Sequence, residues 1–349
     1  MKRLLLVLGV LVLLAAGVVE WANAAWNAPG PAAPQGNATV VVIAPHTGLA
    51  AIARQLTAAH VLTRDWVFRL GLHLRGLAGQ VKAGEYAVPS RASMADIAAL
   101  MVAGRVVQHR LTAAEGLTSD MIWKLVKADP VLTGDAGPVP PEGALLPETY
   151  LFTLGTTRTG LLARMEKAQQ AFLAAAWARR APGLPLKSMR EAVILASIVE
   201  KESALPEERR HIAGVFLNRL KAGMKLQSDP TIIYGITKGY PLGRPILESE
   251  IAAATPWNTY VIAGLPPGPI CNPGKNALEA VLLPEATDDL YFVATGKGGH
   301  VFSATMAQHL RNVAALRAAE KAKAQAEDPA PPPPPKAPPH RRHRHRKAS

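Results

Sequence analysis

The sequence predicts an α+β protein: an N-terminal apolar helix, then a small module of βαβ type, then a longer mixed domain rich in helix. Three features carry that prediction. Lys2 and Arg3 precede an unbroken apolar run from Leu4 to Val19. Between 38 and 112, short β-branched runs alternate with amphipathic stretches that open on Ser or close on Gly. Beyond 113 the helical period dominates and strand-like runs shrink to a few residues. With 349 residues, 49% of them apolar, the chain can build about two domains with proper cores and lacks the composition of a disordered protein.

The first element decides the route of the chain. The Leu4–Val19 run spans ~24 Å as a helix, slightly short of a bilayer core, and Trp21 and Trp26 are positioned for the far interface. The small triplet Ala22-Asn23-Ala24 is of the kind cleaved from signal peptides, so the residues alone leave open an uncleaved anchor or a removed leader. Either one exports the rest of the chain. A single cysteine, Cys271, excludes an intrachain disulfide framework. The net charge of +13 resembles that of nucleic-acid binders until it is located. Segment 336–347 holds six Lys or Arg and no acid, so the body is only moderately basic. With an export signal in front, nucleic acid is not an expected partner.

Residues 1–26 are thus expected as the anchor and 27–37, NAPGPAAPQGN, as a Pro/Gly linker holding the next unit off the membrane. Over 38–112 we expect a strand after 38, helices at 49–62 and 66–74, and a strand at 80–88. Next comes a helix opened by Ser93 and closed by Gly104, then a strand at 106–111. Trp66, Phe68 and Tyr86 read as core side chains. Over 113–320 the helices fall at 119–127, 158–179, 188–203, 206–222, 249–254, 275–283 and 305–326, with strands at 146–152 and 290–295. Glu148 in the first of these strands suggests a cleft wall or a satisfied buried acid. Gln227, Ser228 and Asp229 form a turn before Pro230, and 264–274, GLPPGPICNPG, is a scaffolding loop. A Gly-rich turn runs to His300. Residues 327–349 are disordered by composition.

Segment 188–203, SMREAVILASIVEKES, is the best-signalled helix. Ser188 and Glu191 make a capping box, and Pro206 lies beyond its end. At about 100° per residue, Leu195, Ile198, Val199 and Glu202 share a face, so Glu202 is expected to be at least half buried. Burial raises a carboxyl pKa and lets the group hold a proton near neutral pH. Glu200 projects about 200° away and is expected to be solvated or salt-bridged. The plainer alternative is that Glu202 itself pairs with Lys201, Arg209 or Arg210.

No serine nucleophile elbow, HExxH pair, Walker loop, dinucleotide fingerprint or Cys/His ligand spacing occurs, so neither cofactor nor metal is expected. What remains is a carboxylic acid among groups suited to sugar hydroxyls and sugar faces: Gln227, Asp229, Tyr234, Trp257, Asn258 and Tyr260. A glycosidase usually brackets its bond with two carboxylates, and Asp229 is the evident second. One chemistry needs Asp229 and another does not; both stay open here.

The motifs IVEKES, FLNRL, LQSDPTIIYG, NTY, GLPPGPICNPG and YFVATGKGGHVFS, in this order, closely resemble those of the MltG or YceG-like endolytic murein transglycosylases. The resemblance covers roughly residues 40 to 317, including the KAGEY and LPETY segments, and stops short of the basic proline-rich tail. It implies a LysM-like module over 38–112 and a lytic transglycosylase domain over 113–320. It also implies a single uncleaved span in the inner membrane, with the catalytic domain in the periplasm. The implied substrate is the glycan strand of nascent peptidoglycan, with peptidoglycan synthases as candidate partners. The implied catalytic acid is the second glutamate of EKES, Glu202. In the mechanism so implied, Glu202 protonates the oxygen between N-acetylmuramic acid and N-acetylglucosamine. It then takes the proton of the muramic C6 hydroxyl, whose attack on C1 leaves a 1,6-anhydro end without consuming water. Gln227, Asp229, Asn258, Tyr260 and Glu148 are expected to bind substrate. A muramidase using Glu202 and Asp229, and a non-catalytic glycan-binding scaffold, are the alternatives.

Overall fold

The computed structural model describes residues 2–327 apart from 204 and 297, so the tail expected to be disordered lies, beyond Glu327, outside the described residues. Helix α1 (Lys2–Asn27) contains a 22-residue stretch, Leu6–Asn27, long and apolar enough to cross a membrane. Its last turn is not free. Trp26 is 4% exposed and stacks on Phe68 at 5.9 Å, inside the core of the next unit. The linker expected to hold that unit away instead lies along it. Gly30 N–H donates to Arg91 O, Arg91 N–H to Pro31 O and Ser90 N–H to Asn37 O, each within 3.1 Å. Gly30 is required there, because a Cβ would fall 2.3 Å from the Ala92 carbonyl oxygen.

The unit itself is built from β1 (Ala38–Ile43), α2 (Leu49–Ala58), α3 (Asp65–Leu74), β2 (Gly84–Pro89) and α4 (Met94–Ala103). β1 and β2 pair antiparallel with Val41 opposite Tyr86, whereas the expected βαβ unit would pair them parallel. The reason is that two helices, each reversing the chain, separate the strands. α4 forms as expected: Ser93 Oγ accepts the Asp96 N–H, the Asp96 carboxylate accepts the Ser93 N–H, and Gly104 closes the helix at φ +69°. Phe68, Leu72, Tyr86, Ile97 and Met101 form the core.

The expected 113–320 unit contains two apolar clusters. The first gathers β3 (His109–Thr112), α5 (Ser119–Ala128), β4 (Thr149–Phe152) and the first half of α6 (Arg158–Ala178) around Ile122, Leu145, Leu161 and Met165. β3 pairs antiparallel with β4, so the strand expected at 106–111 belongs here rather than with β1. The second cluster takes the far end of α6, then α7 (Met189–Glu202), α8 (Arg209–Lys221) and α11 (Lys275–Leu282). α6 is thus the beam joining the two. α7 is the central helix: every residue from Ala192 to Glu200 is buried, so the one-faced amphipathic helix read from the sequence is corrected to one packed all round.

Between α8 and α11 lie α9 (Asp229–Thr237) and α10 (Glu248–Ile251). Asp229 therefore starts a helix, with Pro230 in its first turn, instead of remaining in a turn. After α11, β5 (Tyr291–Ala294) and β6 (His300–Ser303) form a hairpin around the Gly-rich turn; β6 was not anticipated. α12 (Met306–Glu327) closes the described chain.

Candidate active site

α7 begins where the sequence says it should. Ser188 Oγ accepts the Glu191 N–H, while the Glu191 carboxylate reaches one residue further back than a capping box requires, to Lys187 N–H at 2.6 Å. The helix ends at Glu202, because Ser203 is extended. This puts the Glu202 carboxyl at the negative pole of a buried helix, which disfavours its ionised form.

The two glutamates of EKES have separate fates. Glu200 and Arg209 form the ion pair, at 2.9 Å, with side chains 4% and 9% exposed. Glu200 also accepts the Gly274 N–H at 2.9 Å, and Glu115 approaches Arg209 from outside at 3.4 Å. Burial pushes the Glu200 carboxyl up, while the Gly274 N–H and Arg209 pull it back. Its expected salt bridge exists, but the pair is buried, not solvated. Arg209 is thereby taken, Arg210 donates to Leu283 O at 2.7 Å and Lys201 reaches Gly116 O at 3.5 Å, so the plainer alternative of Glu202 paired with one of these three does not hold.

Glu202 is half-buried as a residue, with its carboxyl enclosed. Its pKa is raised to about 7, chiefly by burial and further by the Asp229 charge, with the Ser228 hydroxyl, His300 and Arg219 opposing the rise. The contact that fixes its orientation is a short hydrogen bond from Ser228 Oγ to Glu202 Oε1. Ser228 is held in turn by neighbouring threonines. Its N–H donates to Thr259 Oγ1 at 2.9 Å, and its carbonyl accepts from Thr231 Oγ1 at 2.6 Å.

Of the residues expected to bind substrate, the structure gathers some and not others. Asp229 is exposed and accepts a hydrogen bond from the half-buried Tyr260 hydroxyl at 2.6 Å, beside Glu202. Gln227 is exposed at φ +54°, pinned by its N–H to Thr259 O, and its amide oxygen faces Arg219 at 3.4 Å. Asn258 is 1% exposed and spends its amide on the carbonyls of Glu250, Ile251 and Ala253; it caps α10 and holds the Tyr260 loop, with nothing left to offer a ligand. Glu148 is an exposed partner of Lys275 at 3.0 Å, contrary to the buried-acid expectation. Tyr234 and Trp257 meet edge-to-face at 4.6 Å against the main core. The Tyr234 hydroxyl goes to Glu142, a half-buried carboxyl that also accepts Ser119 N–H.

Four groups at the site were not singled out from the sequence. Ser228 lies in the turn read before Pro230, but only the fold brings its hydroxyl to Glu202. Arg219, expected on a polar margin, is buried and donates to the carbonyls of Leu226 and Leu290 at 2.7 and 2.6 Å, leaving its charge to act on Glu202. His300 N–H and Nδ1 both meet the Glu208 carboxylate at 2.8 Å, and Ser203 Oγ reaches the same carboxylate at 3.3 Å. Burial alone would raise Glu208, yet these bonds hold it below the usual carboxylate range. Their signal was weak because the four lie on segments separated by up to some 90 residues. A cavity of about 550 Å³ between α8 and the 284–288 loop contains none of these groups. Among the described residues, no cluster of three or more His, Cys, Asp or Glu is arranged to hold a metal.

The model of the YceG-like family matches residues 41–315. A Bacillus subtilis (strain 168) protein named endolytic murein transglycosylase is 36% identical over 171 residues, which are 49% of this chain and 46% of that one. A protein of the same name from Streptococcus pneumoniae serotype 2 is 38% identical over 180 residues, 50% of this chain and 32% of that one. The match thus spans less than half the length of either relative. A crystal structure of a putative YceG-like protein from Listeria monocytogenes covers 78% of this chain and 97% of its own, with 27% identity and a TM-score of 0.49. With the family model spanning well over half of its length, this chain belongs to the YceG-like family.

Proposed function

We propose that the protein is an endolytic murein transglycosylase. It cuts the N-acetylmuramic acid–N-acetylglucosamine bond within peptidoglycan strands and leaves 1,6-anhydro ends. The observation that carries this reading is a lone, enclosed carboxyl poised near pH 7, with its arginine neighbours engaged elsewhere. A group half protonated at neutral pH can give a proton to the leaving oxygen and then, as carboxylate, take one from the C6 hydroxyl. The attacking hydroxyl belongs to the sugar itself, so its effective molarity is high and no second carboxylate is needed. Ser228 orients the acid. Asp229 with Tyr260, and the exposed Gln227, supply polar groups for the sugar hydroxyls. Asn258 acts one step back, by holding their loop, and Glu148 drops out of the site.

A muramidase remains the second reading, because Asp229 is close enough to Glu202 for its charge to be felt there. Mass spectrometry of purified sacculi after digestion separates the two. Anhydro ends are expected, reducing ends would establish the hydrolase, and binding without cutting would establish a scaffold. The antiparallel strand–helix–helix–strand unit supports a LysM-like, glycan-holding role for 38–112, with 113–320 as the catalytic part. α1, with Lys2 and Arg3 at its start, supports a single-pass anchor with the catalytic part outside the cytoplasmic face. An enzyme acting there on nascent strands would work beside the synthases that make them.

Ser228→Ala tests the orienting contact. The hydroxyl bond favours the carboxylate, so its loss raises the Glu202 pKa above 7 and moves the alkaline limb of the kcat/KM–pH profile to higher pH. An unmoved limb would remove Ser228 from the role given to it.

A further inference from the structure

We propose that the outward face of α3 is a membrane-contacting surface, lying in the interfacial layer of the bilayer next to the α1 span. This rests on the anchor reading of α1 and extends it to a second element. Trp66, Leu70 and Leu74 recur every four residues and form a stripe 49%, 45% and 73% exposed, while Val67, Phe68, Gly71 and Leu72 of the same helix are buried. A contiguous apolar stripe beside a hydrophobic span has an evident partner.

The contacts between α1 and α3 fix which way the stripe looks. At one end of α3, Arg64 sits over the Trp21 ring at 5.8 Å and Trp66 stacks on Trp21 at 6.0 Å. At the other, Arg75 sits over the Trp26 ring at 4.3 Å and donates to Asn23 Oδ1 at 3.3 Å. Trp21 and Trp26 are only ~7.5 Å apart along α1, whereas α3 is ~15 Å long, so α3 lies across α1 rather than along it. Its buried face meets the outer of the two tryptophans: Phe68 stacks on Trp26, and a Cβ on Gly71 would strike that ring at 2.3 Å. Its exposed face starts at the inner one, Trp21, which follows the apolar run after Glu20. Leu70 and Leu74 continue that face towards the bilayer. Tryptophans at the interface, leucines in the headgroup–acyl boundary and an arginine at each end for lipid phosphates make the arrangement of an interfacial helix.

The test uses the full chain reconstituted in vesicles of mixed zwitterionic and acidic phospholipid. An environment-sensitive fluorophore is placed singly through Leu70→Cys or Leu74→Cys. Controls are Val12→Cys in α1 and Leu151→Cys, an exposed site on β4. Cys271 is fully buried and stays unlabelled. The expected result is that labels at 70 and 74 emit to the blue and are quenched by iodide several-fold less than the label at 151. If 70 and 74 are quenched as strongly as 151 while 12 is shielded, the proposal is overturned and the anchor stands. If all four are quenched alike, both fall.

Discussion

Glu202→Gln is expected to lower strand-cutting on sacculi by about 10²–10⁴-fold, the usual contribution of a positioned general acid, while leaving the protein folded. The amide keeps the shape and can still accept the Ser228 hydrogen bond, but it has no proton to give. The same substitution is expected to raise stability above neutral pH. The folded-state pKa of Glu202, about 7, stands above the ordinary glutamate value of 4.5, so the folded protein binds the proton more tightly than the unfolded chain does. Its contribution is complete below the unfolded pKa and is lost as pH rises through the folded one. At pH 8 the enclosed carboxylate costs up to about 3 kcal/mol, which the neutral amide avoids. Thermal unfolding of the two proteins from pH 4 to 8 should therefore diverge as pH rises. Parallel curves would mean that the acid is not held at the raised value, and retained cutting would remove it from the chemistry.

Breaking the neighbouring pair should do the reverse. Arg209→Ala leaves Glu200 as a buried, uncompensated charge beside Glu115 and is expected to cost about 3–5 kcal/mol, read as a drop in unfolding midpoint of order 10 °C. Glu200→Ala also strips the Gly274 N–H of its acceptor and should unseat the 264–274 loop. The surface pair Glu148–Lys275 provides the contrast. Glu148→Ala is expected to change stability by less than about 1 kcal/mol and to leave cutting intact, since both partners are largely exposed. An activity loss there would return Glu148 to the cleft.

The contrast between Glu200 and Glu202 also marks what could be read from residues alone. Capping signals placed α4, α5, α6 and α7 within a residue or two, because a Ser, Thr or Gly at a helix end acts locally. Phe68 and Tyr86 were rightly read as core, but Trp66, read with them, is half exposed on the other face of α3. The periodicity of α7 was legible too, but the inference drawn from it was half right: a helix covered on every side has no polar face for Glu200 to occupy. Which glutamate pairs with Arg209 is decided by α8 and the 274 backbone, and no local pattern records that. Ser228, Arg219 and His300 reach Glu202 only through long-range packing. Asn258 misled because an amide in a polar loop looks the same whether it awaits a sugar or caps a helix.

With Trp26 seated in the core of the first unit and residues 30–37 strapped to Ser90 and Arg91, there is no slack between α1 and β1. On the anchor reading of α1, the height of the folded body above the bilayer is then set like a ruler by this packing, not like a leash by chain length. Extra residues spliced between 31 and 37 would bulge outward and add nothing to that height until the strap itself came undone.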